Sequence, residues 1–171
     1  SDLGGTAASP NSSPAMLLMD RLKTALKAPT LRTMREFAEQ ELILPTGPHE
    51  GRRFRVDRNP FAGLWFAAVD SGTWRRIFTT GPQQSGKTLI GFLLPILYHL
   101  FEMKETVIVG LPMMDMAADK WNEDIRPAIE ATQYKDLLPS TGAGSKGGKI
   151  VGINFKNGAT LRFMSGGGSD K

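Results

Sequence analysis

Residues 81–88, Gly81-Pro82-Gln83-Gln84-Ser85-Gly86-Lys87-Thr88, fill every fixed position of the pattern G-x-x-x-x-G-K-[ST]. Nothing else in the chain limits its fold as tightly. The two glycines let the backbone turn so that successive N–H groups point inward at phosphate oxygens with no side chain in the way. Lys87 adds a positive charge for the β- and γ-phosphates, and the Thr88 hydroxyl is placed to ligate Mg²⁺. A helix starting at the lysine contributes the positive end of its dipole. The expected cofactors are therefore ATP and Mg²⁺, with Lys87 as catalytic residue and Gly81, Pro82, Gln83, Gln84, Ser85, Gly86, Lys87 and Thr88 as nucleotide contacts.

This loop works only where a strand feeds into a helix. The β-branched and aromatic residues from Trp74 to Thr80 predict the strand, and 87–103 predicts the helix. Thr106-Val-Ile-Val-Gly-Leu-Pro112 is a short apolar run of the kind found in a parallel strand covered on both faces. Asp115 is a candidate cap for the helix that follows. In that helix Ala117, Trp121, Ile125 and Ile129 recur at helical spacing and read as core, while Pro127 should kink or restart it. The end reads as a hairpin. A three-residue loop of Lys156, Asn157 and Gly158, with Gly158 left-handed, pairs Phe155 with Ala159, Ile153 with Leu161 and Val151 with Phe163, which gives one clean apolar face. The fold class is α/β. It is expected to be an incomplete P-loop NTPase, RecA/ASCE-like, with a mainly parallel sheet flanked by helices and a hairpin near the carboxyl end.

Upstream, 1–15 reads as a disordered leader rich in Ser, Pro, Gly and Ala, 16–48 as an amino-terminal helical segment, and 49–171 as a partial P-loop ATPase domain. Two helices are expected, over 16–27 and 31–44, with Thr30 available as a cap between them. Arg52, Arg53, Arg55 and Arg58 then follow a turn-rich stretch. They read either as a solvated surface run or as nucleic-acid phosphate contacts. A net charge of +4 permits a polyanion partner without demanding one. With no cysteine there is no disulfide framework and no thiolate site, which fits a reducing compartment. The longest apolar run, 89–101, is too short for a membrane span and contains Pro95 and His99.

Gly142-Ala-Gly144-Ser-Lys-Gly147 spells a dinucleotide fingerprint but precedes a strand rather than opening a helix, so it reads as a loop, with Lys146 and Lys149 solvated or touching phosphate. Ser165-Gly-Gly-Gly168 reads as a sensing loop or a linker. Hydrolysis also requires an acid at a strand end to hold Mg²⁺. The apolar run 106–111 ends without one, and Asp115, Asp119, Glu123 and Asp124 fall on the following helix as surface groups. The missing acid is expected beyond Lys171.

The residues around the loop resemble the large terminase subunit of tailed bacteriophages, lambda-like group, from about Leu31 onward. The resemblance is carried by Met34-Arg-Glu-Phe-Ala-Glu-Gln-Glu-Leu-Ile-Leu-Pro45, by Asn59-Pro60-Phe61, by the glycine loop, by the run from Leu111 to Trp121 and by that from Phe155 to Phe163. It implies an ATPase that drives double-stranded DNA into a procapsid in the host cytoplasm, working as a homo-oligomer with a small terminase subunit and a portal. It also implies a following endonuclease domain, absent from this chain. Many relatives carry a basic residue early in the loop where this sequence has Gln83. The resemblance further implies an adenine-contacting segment upstream of the loop, for which 54–61 is the available stretch. Two other readings compete: a helicase-like or other P-loop ATPase, and a nucleotide-binding fragment without turnover.

Overall fold

The computed structural model describes residues 18–19, 21–22, 30–45, 48–145 and 150–166. The chain divides into Ser1–Thr30 and Leu31–Lys171. In the first unit Leu18, Met19, Arg21 and Leu22 are helical and exposed, within the expected helix 16–27. The remainder of that helix and the leader lie outside the described residues.

The second unit begins with α1 (Met34–Glu41), capped by Thr33 and not by Thr30. Thr33 wins because it alone has a glutamate three residues on. Its hydroxyl accepts from Glu36 N at 3.2 Å, and Glu36 Oε2 accepts from Thr33 N at 2.8 Å, so two otherwise orphaned donors are satisfied at once. The helix stops at Glu41, short of the expected Leu44. Leu42–Leu44 instead turns extended and bonds back across a tight turn, with Phe54 N donating to Leu42 O and Leu44 N to Arg52 O, both at 2.9 Å. Met34, Phe37, Ala38 and Leu42 join the same apolar core as the rest of the unit. A helix with no counterpart in the sequence reading, α2 (Pro60–Asp70), follows a 3-10 turn at Val56–Arg58. Pro60 occupies its first position, where a missing N–H costs nothing.

The strand expected over 74–80 does not form. Every residue from Ser71 to Gln84 is exposed and none pairs with a strand. Strand-forming composition needs a neighbouring ladder to satisfy its backbone, and the described sheet offers none here. The helix after the loop does form. Lys87 and Thr88 are helical, a π turn spans Leu89–Leu93, and α3 runs Leu94–Phe101. Pro95 explains the π turn: its ring would strike the carbonyl four residues back, so the backbone widens and Leu94 N donates to Leu89 O, five residues back.

β1 (Thr106–Leu111) leads into α4 (Met116–Asp119), a second π turn at Lys120–Ile125, and α5 (Arg126–Glu130). The cause is the same as before. Pro127 sits just inside α5, and Arg126 N donates to Trp121 O. Pro127 therefore widens the helix rather than breaking it, and Ala117, Trp121, Ile125 and Ile129 are all buried as the periodicity predicts. Asp115 makes no capping bond. It already has helical torsions, whereas a cap must be extended.

The hairpin forms in the expected register. β2 (Gly152–Asn154) pairs antiparallel with β3 (Thr160–Ser165), Ile153 facing Leu161, while Phe155 N donates to Ala159 O and Phe163 N to Val151 O, both at 2.9 Å. Gly158 has φ +89°, as the three-residue loop requires. Asn157 Nδ2 ties this loop to Leu100 O at the end of α3. β3 also pairs in parallel with β1, giving the order β1-β3-β2. Among the described residues the fold is thus mixed α/β with a three-stranded mixed sheet, not the mainly parallel sheet expected. Val109, Leu111, Ile153, Leu161 and Phe163 are buried on one face, while Ile108 is 59% exposed on the other. β1 was expected to be covered on both faces, and the described helices cover one.

An ionic knot joins the start of this unit to its middle. The Arg32 guanidinium donates to Glu102 Oε2 at 2.6 Å, Glu41 Oε1 at 2.7 Å and Tyr134 OH at 2.8 Å. The bond from Arg32 holds the Glu102 carboxyl below the usual glutamate range, against a smaller upward push from burial. Burial raises the Tyr134 and Tyr98 hydroxyls. Among the described residues no helix is long and apolar enough to cross a membrane.

Candidate phosphate-binding site

The glycine loop runs from the exposed segment directly into the helix at Lys87, so its backbone caps a helix amino terminus. Among the described residues the N–H groups of Gln83, Gln84, Ser85 and Gly86 donate to no backbone carbonyl. A run of unpaired donors at the positive end of a helix is the arrangement that binds an anion. Two torsions aim them. Gly86 has φ +81° and Gln84, though not a glycine, has φ +59°. Gly86 is also where the loop approaches the rest of the unit, since a side chain there would meet Asn59 Nδ2 at 3.3 Å. Lys87 Nζ arches over the loop, donating to Gly81 O at 2.6 Å and to Pro82 O. Its ammonium is thus folded back onto the carbonyls at the start of the loop.

Two clefts flank the loop. One, of about 370 Å³, sets Gly81, Pro82, Ser85 and Lys87 against the aromatic side chains Phe61, Trp65 and Phe78. Trp65 Nε1 donates to Thr79 Oγ1 at 2.9 Å, tying the exposed segment to α2. Gly91 makes the approach possible, because a side chain there would strike Thr79 Oγ1 at 2.7 Å. The second cleft, of about 910 Å³, is lined by loop residues 84–89, by Leu44, Pro45 and Pro48, and by Leu93, Lys120 and Asp124. Thr88 faces this second cleft, and Gln83 lines neither.

The structure gathers seven of the eight loop residues at the two clefts and sets against them, among other residues, the side chains of Phe61, Trp65, Phe78, Lys120 and Asp124. Of these, Phe61 lay at the end of the segment singled out for adenine. Trp65 and Phe78 carried no signal, one being in an unanticipated helix and the other in the expected strand. Asp124 was read as a surface group of the helix after β1, and Lys120 was given no role. Asp115, Asp119 and Glu123 are indeed exposed, but Asp124 is half-buried and faces the loop.

Among the described residues no group of three or more His, Asp or Glu is placed to hold a metal ion. Mg²⁺ fits this donor set only in the manner usual with nucleotides, held chiefly by phosphate oxygens and water with one hydroxyl from the protein. Thr88 is positioned to supply that hydroxyl.

Arg52, Arg53, Arg55 and Arg58 gather around a separate open hollow of about 450 Å³ that they share with Asp57. Among the described residues only Arg55 of the four has an ion pair, to Asp57 at 3.5 Å. Arg58 Nη1 donates to Arg53 O at 3.4 Å. All four are exposed and concentrate positive charge on one surface. Lys146 and Lys149 lie outside the described residues, as do Gly167 and Gly168 of the Ser165–Gly168 run. Comparison of the chain with protein-family models, with curated proteins and with solved structures gives no match.

Proposed function

We propose that this chain is the nucleotide-binding part of a P-loop ATPase of the large terminase type, a motor that moves double-stranded DNA into a procapsid. The observation that carries the nucleotide half is the run of unpaired N–H groups from Gln83 to Gly86 at a helix start, with Lys87 Nζ folded back onto the carbonyls at the start of the loop. The triphosphate takes these donors and Lys87, Mg²⁺ takes the Thr88 hydroxyl, and the base lies against Phe61, Trp65 and Phe78, where an aromatic wall favours stacking. Mg²⁺ when bound neutralises phosphate charge and polarises the terminal phosphoryl group.

The test is calorimetric titration of the full chain with Mg·ATP. Binding is expected, and Lys87→Ala should lower the affinity at least about a hundredfold, as loss of a charged phosphate contact does. Equal affinity in that variant would remove the site assignment.

The DNA half rests on the sequence resemblance and on the arginine hollow. Each phosphate contact released adds to the salt dependence of binding. Duplex affinity should therefore fall steeply between low and physiological salt, and replacing Arg52 and Arg55 by alanine should lower the log–log salt slope by roughly two. A salt-independent affinity would separate the hollow from DNA.

A second reading, a nucleotide-binding module without turnover, is favoured by one observation. Among the described acids Asp124 alone lines the loop clefts, and Lys120 holds its carboxylate at 2.7 Å. Phosphate release from Mg·ATP with duplex DNA present separates the two readings.

A further inference from the structure

We infer that Lys120 is a second phosphate-contacting cation, directed at the terminal phosphate of a nucleoside triphosphate, and that Asp124 is its positioning residue. The inference rests on the nucleotide reading of the glycine loop and extends it to a helix far away in sequence.

The two π turns share one cause. Each arises from a proline one residue inside the α-helix that follows, Pro95 in one case and Pro127 in the other. Both π turns line the same cleft, Leu89 and Leu93 from the first, Lys120 and Asp124 from the second. A π turn changes which side chains share a helix face, and such turns recur at functional positions. Here the second turn is anchored by Trp121 and Ile125, each fully buried. With those side chains fixed in the core, the residues just before them, Lys120 and Asp124, are held at the wall of the cleft that Thr88 also lines.

Charge completes the case. Lys120 Nζ donates to Asp124 Oδ2 at 2.7 Å, with about a third of each side chain exposed. Lysine has a long flexible stem and on an open surface its ammonium samples many positions. The bond to Asp124 confines this one beside the loop. A single hydrogen bond leaves two of the three ammonium donors free for a phosphate oxygen. Lys87 lines both clefts, but its ammonium is bonded to the loop's own carbonyls at Gly81 and Pro82. Lys120 is therefore the cation that faces the loop from outside it, where the outermost phosphate of a bound chain would lie. A diphosphate lacks that group, so the contact separates triphosphate from diphosphate.

The experiment is calorimetric titration of the full chain with Mg·ATP and with Mg·ADP, for the parent, Lys120→Ala, Lys120→Arg, Asp124→Asn and the Lys120→Ala/Asp124→Asn pair, with circular dichroism confirming that each variant is folded. Lys120→Ala is expected to weaken ATP about tenfold and ADP less than about twofold, and Lys120→Arg to retain the ATP preference. Asp124→Asn should weaken ATP by less and add nothing to the effect of Lys120→Ala, because a positioning residue acts only through its partner. Equal losses for ATP and ADP, or unchanged affinity for both, would overturn the role of Lys120. Additive losses in the double variant would overturn the role of Asp124. If the parent binds neither nucleotide, the reading of the loop itself fails. If the parent binds and Lys120→Ala matches it, only this inference fails.

Discussion

From Ile150 to Phe163 the chain buries Ile150, Ile153, Phe155, Ala159, Leu161 and Phe163, whereas from Ser71 to Gln84 every residue is exposed, including Trp74, Ile77 and Phe78. The two stretches have similar strand-forming content. They differ in partners. The first folds on itself through a turn of defined length, so its backbone groups are satisfied and one face meets the core. The second has no ladder to join, and its Phe78 instead lines the cleft beside the glycine loop. Positive φ has opposite uses in the two regions. At Gly158 it closes a hairpin docked on α3, while at Gln84 and Gly86 it turns donors outward. Composition is thus a weak guide where pairing decides, and exposure in the second region fits a surface that receives a ligand.

The contrast is sharpest for tryptophan. Trp121 is fully buried, lies near Phe155 and donates to Gly144 O at 3.2 Å. Trp121→Ala should cost about 4 kcal/mol in urea denaturation. Trp74→Ala, at 66% exposure, should stay within about 0.5 kcal/mol. Equal costs would mean that the 71–84 segment is packed after all.

Next in size is Arg32, which links α1 to the end of α3 and to Tyr134. Arg32→Ala should cost about 2–3 kcal/mol, less than a fully buried pair because part of the guanidinium remains in water. The pH dependence follows from Glu102. Its carboxyl lies below the ordinary value of 4.5 in the folded chain, so the folded state binds fewer protons there than the unfolded one. That contribution is full above the ordinary value and is lost as pH falls through the lowered one. The parent should therefore lose more stability than Arg32→Ala as the pH is lowered from about 6 to about 3. Parallel curves would show that the knot is not what gives this half its acid sensitivity.

The smallest effects compare the two turns. A side chain at Gly158 meets nothing within 4 Å, so Gly158→Ala should cost about 1–2 kcal/mol for the left-handed torsion alone. Gln84→Gly relieves the same kind of torsion while making the unfolded chain more flexible, so its net effect on thermal stability should lie within about 0.5 kcal/mol. A large gain at Gln84 would mean that the loop stores strain.

Much of the fold was legible because it is periodic or local. The stripe from Ala117 to Ile129 had to be core, and the apolar alternation around Asn157-Gly158 admitted one clean register. The glycine loop was legible as a motif for another reason: the glycines, lysine and threonine of the proposed phosphate cradle fall within eight consecutive residues. The walls of the site were not legible. Phe61, Trp65, Phe78, Lys120 and Asp124 come from distant parts of the chain, and nothing in their local spacing distinguishes them from surface.

By itself the sequence determined the core stripe of the helix after β1, how the hairpin pairs and which eight residues match a phosphate-binding pattern, since each depends on side-chain period or on backbone torsions a few residues can set. Tertiary structure alone decided three further points. The 74–80 segment stays unpaired, because a strand exists only with a partner. α1 ends at Glu41, because the residues after it find backbone partners at Arg52–Phe54. Lys120 and Asp124 face the loop because Trp121 and Ile125 are committed to a core that forms only when distant segments meet.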